Sequence, residues 1–344
     1  MSRGVSDFLV IIPTYRRRDP LRAAIKSALG QIGITKRIIV VDDCPDGSAA
    51  EVVRDFPEVT YLKTSTPSRG WPGRVRNFAF NSSREMGIRA NYVHFLDDDD
   101  TVPDGHYAVV KKTFYQHPTL GVVFGVLRPF CRFSTDPDRR KRQEQQLQEV
   151  RNWRVQTTRF PWLYQQIGAA LKLPVVTQWL YNQRAIFGPE MFLCSGGAIR
   201  YQHVVDLGGF PDIRIAEDFS FYADAIRKFG AVFLKRETAG YGVGDPGAIW
   251  NPLDSDEAAK IAHTNEWTQA LRLRSRKIRR EIGYFKYYSS NIIFRIVNVV
   301  LNRGVIPALD RRGYFTDLYR LLEPDRFAKK PGPEEPTLPT GMPG

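Results

Sequence analysis

The sequence predicts an α/β fold: an open, mostly parallel twisted sheet flanked by helices, followed by a helical C-terminal extension. Three observations carry this expectation. Short apolar runs at residues 8–12, 37–41 and 91–96 each stop at a polar or acidic residue. Runs of that length read as strands buried on both faces, as in parallel sheets. Segments of helical periodicity alternate with them, and beyond residue 254 the strand signal gives way to helical periodicity alone.

In order, residues 8–12 form the first strand and Pro13 ends it. Residues 18–31 place Leu21, Ile25, Ala28 and Leu29 on one helical face. Residues 37–41 are the second strand, which runs into Asp42 and Asp43. A helix over 49–56, a short strand over 60–62 and a helix over 73–87 follow. The strand at 91–96 then ends in Asp97, Asp98, Asp99 and Asp100. This β-α-β-α-β-α-β order describes an open sheet with helices on both faces. In such sheets ligands bind outside the carboxyl ends of the strands. Those ends carry Pro13, Thr14, Tyr15, Asp42, Asp43 and the four aspartates, so three strands deliver polar residues to one edge.

After residue 105 the expected strands are 122–127, 192–199 and 231–234. The expected helices are 139–153, rich in Gln and Arg with little apolar face, and 219–229. The domain boundaries read as a disordered N-terminus at 1–7 and one domain at 8–253, divided into halves 8–104 and 105–253. A basic helical region at 254–330 and a Pro- and Gly-rich disordered tail at 331–344 complete the chain.

The chain has 344 residues, 42% hydrophobic and 25% charged, which excludes a wholly disordered or low-complexity protein. Cys44, Cys131 and Cys194 form no CxxC pair, which excludes a disulfide framework or a structural zinc site and fits a reducing compartment. The net charge of +13 points to nucleic acid, an anionic membrane or anionic substrates. Most of it falls in residues 270–330, with 15 Lys and Arg against 5 Asp and Glu. There Asn291, Arg295, Asn298 and Asn302 share one helical stripe with apolar residues around the rest. That pattern suits packing on the main domain or a surface helix on anionic lipid. No run reaches the ~20 apolar residues of a membrane span, and no signal peptide is legible. The expectation is a cytoplasmic chain, with the cytoplasmic membrane face as a candidate contact.

The acidic run differs from a solvated loop because it ends a buried strand, a second acidic pair ends a neighbouring strand, and the chain as a whole is basic. Carboxylates so placed suit a hard cation such as Mg²⁺, which takes one or two of them together with substrate phosphates. No GxxxxGK[ST] loop and no GxGxxG turn is present. A second acidic pair, Glu217-Asp218, opens the helix at 219–229, where capping alone would also account for it. Glycines at 196, 197, 208 and 209 mark a bulge or the close approach of a ligand or backbone.

Taken together, these motifs resemble an inverting family-2 glycosyltransferase of the GT-A fold. The matching segments are residues 10–15, 39–43, 75–79, 95–100, 195–200 with 208–210, and 216–218. The resemblance covers about residues 8–250. It implies a nucleotide-binding half at 8–104 and an acceptor half at 105–253. It implies that Pro13, Thr14, Tyr15, Asp43, Arg76, Asp97 and Asp98 hold the donor. Asp97 and Asp99 would hold Mg²⁺ or Mn²⁺, with Asp245 standing where family members carry a His. Asp218 would be the general base, with Glu217, Gly196 and Gly197 on the acceptor side. The implied partners are a nucleotide-diphosphate sugar, a UDP-sugar by preference, and a glycan, lipid-linked or small-molecule hydroxyl acceptor. Two other functions compete. Nucleic-acid binding through the basic region lacks an RRM, KH or zinc-finger signature, so no nucleic-acid partner is expected. A sugar nucleotidyltransferase would need a Gly-rich turn, and residues 13–18 contain no glycine.

Overall fold

The computed structural model describes residues 4–68, 70–187, 194–244 and 257–303. Asp245, the helical stretch expected at 304–328 and the tail at 331–344 lie outside the described residues. The first half runs β1 (Ser6–Thr14), α1 (Arg18–Leu29), β2 (Lys36–Asp42), α2 (Ala50–Arg54), β3 (Val59–Lys63), α3 (Pro72–Glu85) and β4 (Ala90–Phe95). The second half runs α4 (His106–Gln116), β5 (Val122–Phe130), α5 (Pro137–Ala170), α6 (Pro174–Phe187), β6 (Gly197–Arg200), α7 (Tyr201–Leu207), α8 (Glu217–Phe229) and β7 (Ala231–Gly242). The helices α9 (Glu257–Ile282) and α10 (Tyr284–Arg303) follow.

The seven strands form one sheet in the order β3-β2-β1-β4-β6-β5-β7. All pairings are parallel except those of β6, which runs antiparallel to β4 and β5. Ile11 pairs with Ile39 on one side and Phe95 on the other, so β1, β2 and β4 end level. That register brings Thr14, Asp43 and the acidic run to one edge. Phe8, Val10, Ile12, Ile38 and Val40 are buried on one side of the sheet against Leu21, Ala24 and Ile25 of α1. Tyr92 stacks on Phe114 of α4 with ring centres 4.4 Å apart.

Several expectations are corrected. Ser6 and Asp7, read as part of a disordered terminus, are buried in β1. Of the strand expected at 192–199, the described residues form a 3₁₀ turn, Cys194–Gly196, and the short β6. The helix expected at 139–153 extends to Ala170 and passes through Pro161. β7 continues eight residues beyond the expected Leu234 to Gly242, across register shifts opposite Val126.

Two units separate by packing, Met1–Glu281 and Ile282–Gly344. Ala270 of α9, with Trp267 and Leu271, packs on Ile215 and Phe219. Lys277 pairs with Asp224 at 2.6 Å and Glu281 with Arg227 at 2.8 Å. In the second unit, Tyr284, Phe285, Ile292 and Ile293 of α10 are exposed. No helix of the described residues is long and apolar enough to cross a membrane.

Candidate active site

The ends of β1, β2 and β4 build one wall of the site. Asp42 and Asp43 are both buried but do different work. Asp42 accepts from the amides of Cys44 and Ala49 and from the Tyr61 hydroxyl, which fixes the turn into α2. Asp43 accepts from the Thr64 hydroxyl at 2.9 Å and from both the amide and hydroxyl of Ser68, the hydroxyl at 2.6 Å. The loop after β3 thus presents the Asp43 carboxylate in one fixed orientation. Tyr15 is half-exposed beside it, and the Arg16 guanidinium lies over the Tyr15 ring.

Asp98 and Asp99 converge on a single nitrogen. Arg17 Nη1 donates to Asp98 Oδ1 at 2.8 Å and to Asp99 Oδ2 at 2.7 Å. The Thr14 hydroxyl donates to the other oxygen of Asp98 at 2.6 Å. Burial pushes the Asp98 carboxyl up from its usual range, against the opposing pull of Arg17 and Thr14. Asp100 is fully buried and accepts from the Gly242 amide at 2.8 Å. Its carboxyl is pushed well up, by burial first and then by the charges of Asp99 and Asp97.

Arg76 of α3 joins this wall to the opposite one. Its side chain is 5% exposed, donates from Nη2 to Asp97 Oδ1 at 2.5 Å, and donates from Nη1 to Glu217 Oε1 at 2.7 Å. Glu217 and Asp218 occupy the first turn of α8, entered through a left-handed Ala216 with φ 62°. A non-glycine residue there is strained, and such strain collects at functional sites. Burial and the neighbouring Asp218 charge lift the Glu217 carboxyl to about 7. Burial also raises that of Asp218, with Arg76 opposing and Asp97 assisting. One Asp218 oxygen accepts from the Phe219 amide at 2.7 Å.

The glycines are demanded by close backbone approach. A Cβ at Gly242 would stand 2.4 Å from the Asp99 carbonyl, and one at Gly240 would stand 2.5 Å from the Thr101 hydroxyl. The end of β7 thereby lies against the acidic run. Gly196 faces Leu127 with no room for a methyl group, so packing accounts for it; Gly197 is buried in β6. The neighbouring Ser195 hydroxyl accepts from the Asp97 amide at 2.9 Å. Its carbonyl lies 2.8 Å from His94 Nε2, and burial lowers His94 to about 4, so the ring is neutral.

The acidic run fits a hard cation. Two carboxylates already share one positive point, Arg17 Nη1, and Mg²⁺ or Mn²⁺ typically takes one or two carboxylates and completes its shell with substrate phosphates and water. Among the described residues no group of three or more His, Cys, Asp or Glu side chains closes around an ion.

Of the residues expected from sequence, Thr14, Asp43, Arg76, Asp97, Asp98, Asp99, Glu217 and Asp218 are linked through this network or stand beside it. Pro13 lies in β1, paired with Val41. Arg76 spans Asp97 and Glu217, with its remaining nitrogen, Nε, buried and unpartnered. Three contributors were not anticipated. Arg17 was signalled only by the run of three arginines after Tyr15. Ser68 had no signal. Asn77, next to Arg76, clamps Phe210 by donating to its carbonyl at 2.9 Å and accepting from its amide at 2.8 Å.

Residues 9–173 match the family model described as Glycosyl transferase family 2. The chain is 32% identical over 101 residues to the succinoglycan biosynthesis protein ExoO of Rhizobium meliloti, covering 29% of this chain and 28% of that protein. It is 32% identical over 121 residues to the minor teichoic acid biosynthesis protein GgaB of Bacillus subtilis, covering 32% of this chain and 12% of that one. The chain thus matches well under half the length of these curated relatives. Among solved structures, S. aureus TarS 1-349 in complex with UDP-GlcNAc aligns over 93% of this chain and 78% of that one. Its TM-score is 0.55, at 16% identity. The fold is accordingly of the GT-A type.

Proposed function

This chain carries a family-2 glycosyltransferase domain, and from that premise we propose that it moves a sugar from a nucleotide-diphosphate donor to a hydroxyl acceptor with inversion. The observation that carries the reading is the Arg76 bridge. It holds Asp97, at the end of β4, and Glu217, beside Asp218 on α8, in one site. That bridge supports a site with donor-side carboxylates on one side and a candidate base on the other.

Asp43 accepts from the donor's base, while Pro13, Thr14 and Tyr15 line its path. Asp98 and Asp99, with Asp245 as a further ligand, would hold Mg²⁺ or Mn²⁺, which would supply positive charge against the leaving diphosphate. Asp218 takes the proton of the acceptor hydroxyl as its oxygen attacks the anomeric carbon. A carboxyl raised toward neutrality is suited to that task. One base opposite the leaving group gives a single displacement, hence inversion. Glu217 stays on Arg76 and keeps the acceptor side in register. The acceptor is a glycan, a lipid-linked or a small hydroxyl compound. The basic region at 270–330 suits an anionic membrane surface at the cytoplasmic face, where a lipid-linked acceptor would be met.

The test is thermal stabilisation by Mn²⁺ with a panel of nucleotide diphosphates, UDP first because the TarS structure holds a UDP-sugar. One of them raises the melting temperature of the wild type, and D99A abolishes the rise. Saturating ligand that leaves the melting curve unmoved would falsify the reading.

A further inference from the structure

Arg17 touches two members of the acidic run, Asp98 and Asp99, and it does so through one nitrogen. Its side chain is 11% exposed, against 55% for the adjacent Arg16. The backbone explains why neighbours diverge. Arg16 has φ 56°, in the left-handed region. That turn sends Arg16 to Cys44 Sγ at 3.4 Å and Asp46 at 2.8 Å, and Arg17 inward to Asp98 and Asp99.

The point held by Arg17 Nη1 is also the one at which Asp98 and Asp99 can share a divalent ion. Two cations cannot occupy it together. A guanidinium displaced from two carboxylates inside a mostly buried site needs new acceptors, since a buried charge without a partner is strongly unfavourable. The anion that arrives with the ion is the donor diphosphate, and guanidinium groups match phosphate oxygens well.

We propose that Arg17 is a donor-site residue with two positions. In the empty site it neutralises Asp98 and Asp99. On loading it yields these carboxylates to the divalent ion and turns its guanidinium to the donor's phosphate oxygens. This rests on the donor-site reading given above. Thr14 keeps its bond to Asp98 in both states and so preserves the position of that carboxylate. The consequence is coupling. Mn²⁺ alone competes with Arg17, whereas Mn²⁺ with diphosphate gives Arg17 a second home, so each ligand strengthens the other by the same factor.

The experiment is titration calorimetry of Mn²⁺ alone, and of Mn²⁺ with saturating UDP or whichever diphosphate stabilises the wild type. It uses the full chain as wild type, R17Q and R17K, with circular dichroism confirming the fold. In the wild type, diphosphate should raise Mn²⁺ affinity at least tenfold. In R17Q, Mn²⁺ alone should bind roughly tenfold tighter than in wild type, while Mn²⁺-dependent diphosphate binding falls at least tenfold. R17K should stay near wild type for Mn²⁺ alone and recover part of the diphosphate affinity. Weaker binding of Mn²⁺ alone by R17Q, or unchanged diphosphate affinity, overturns the proposal. If R17Q does not fold, the wild-type coupling and R17K decide, and absent coupling overturns it. A wild type that binds neither Mn²⁺ nor any diphosphate overturns the donor-site reading itself. Binding without the inversion in R17Q overturns the role of Arg17 alone.

Discussion

Asp218 and Glu217 sit side by side, yet Arg76 bonds only Glu217. That asymmetry assigns them different work. Glu217 spends its charge on Arg76, whereas Asp218 accepts from the backbone amides of Phe219 and Cys194. Both carboxyls are raised by burial, Glu217 to about 7. The sign follows directly. A base acts only when deprotonated, and a raised carboxyl is protonated at pH values where an ordinary one is not. Transfer should therefore fall as pH drops at values higher than an ordinary carboxylate would give, with the limb reporting the coupled pair rather than one residue. D218N should abolish turnover and leave Mn²⁺-dependent donor binding intact. Initial rates from pH 5 to 9 and a binding titration of D218N check both. A flat profile, or donor affinity lost along with turnover, would remove Asp218 from the role of base.

Elements matter here for what they bring close. α3 supplies two consecutive residues with separate tasks, Arg76 across the site and Asn77 onto the Phe210 backbone. Gly209 has φ 86°, and a Cβ there would meet Asn77 Oδ1 at 2.4 Å. Asn77→Ala removes two hydrogen bonds and should cost about 2 kcal/mol at roughly 1 kcal/mol each. Gly209→Ala should cost at least as much, through strain and collision. Urea denaturation measures both, and a change under 0.5 kcal/mol, roughly the level of an ordinary surface substitution, would show that the clamp is incidental. The same elements show what could be read in advance. β1, β2 and β4 announce themselves because a strand buried on both faces must be continuously apolar and stop where it meets solvent. Their ends, and hence Asp43 and Asp97 to Asp99, were legible for that reason. α5 was only half legible: Gln143 is buried on it and bonds the carbonyls of Arg132 and Gly244, and a polar residue facing inward leaves no apolar periodicity to follow. Arg17 and Ser68 were not legible as site residues, because their partners lie 81 and 25 positions away and become neighbours only when strand ends align.

At the scale of the whole molecule, charge is divided between two tasks. The first unit uses part of its basic surface internally. Lys277 is paired with Asp224, and the Arg274 guanidinium lies 4.3 Å from the centre of the Phe219 ring. α9 is thus a packing element for α8, which carries the candidate base, and the choice between packing and membrane narrows to the second unit. There Phe285 is 88% exposed and Tyr284 64%, with Ile292 and Ile293 also exposed, on a helix that carries Lys286, Arg295 and Arg303 and no acidic residue. Phe285 and Ile292 are seven residues apart and share one helical face. Exposed aromatic and aliphatic side chains beside basic residues suit the interface of an anionic bilayer, where apolar burial and charge attraction add. Attraction to lipid contributes about 1 kcal/mol per basic residue near the surface and is screened by salt. The full chain should therefore float with vesicles containing phosphatidylglycerol and not with neutral ones. Half a molar salt should reduce the bound fraction, and the triple substitution of Phe285, Ile292 and Ile293 by Ser should abolish it while leaving Mn²⁺-dependent donor binding unchanged. Equal flotation of the wild type with neutral and anionic vesicles would mean that the basic excess does not select the membrane. Undiminished flotation of the substituted chain would place the contact elsewhere than on α10.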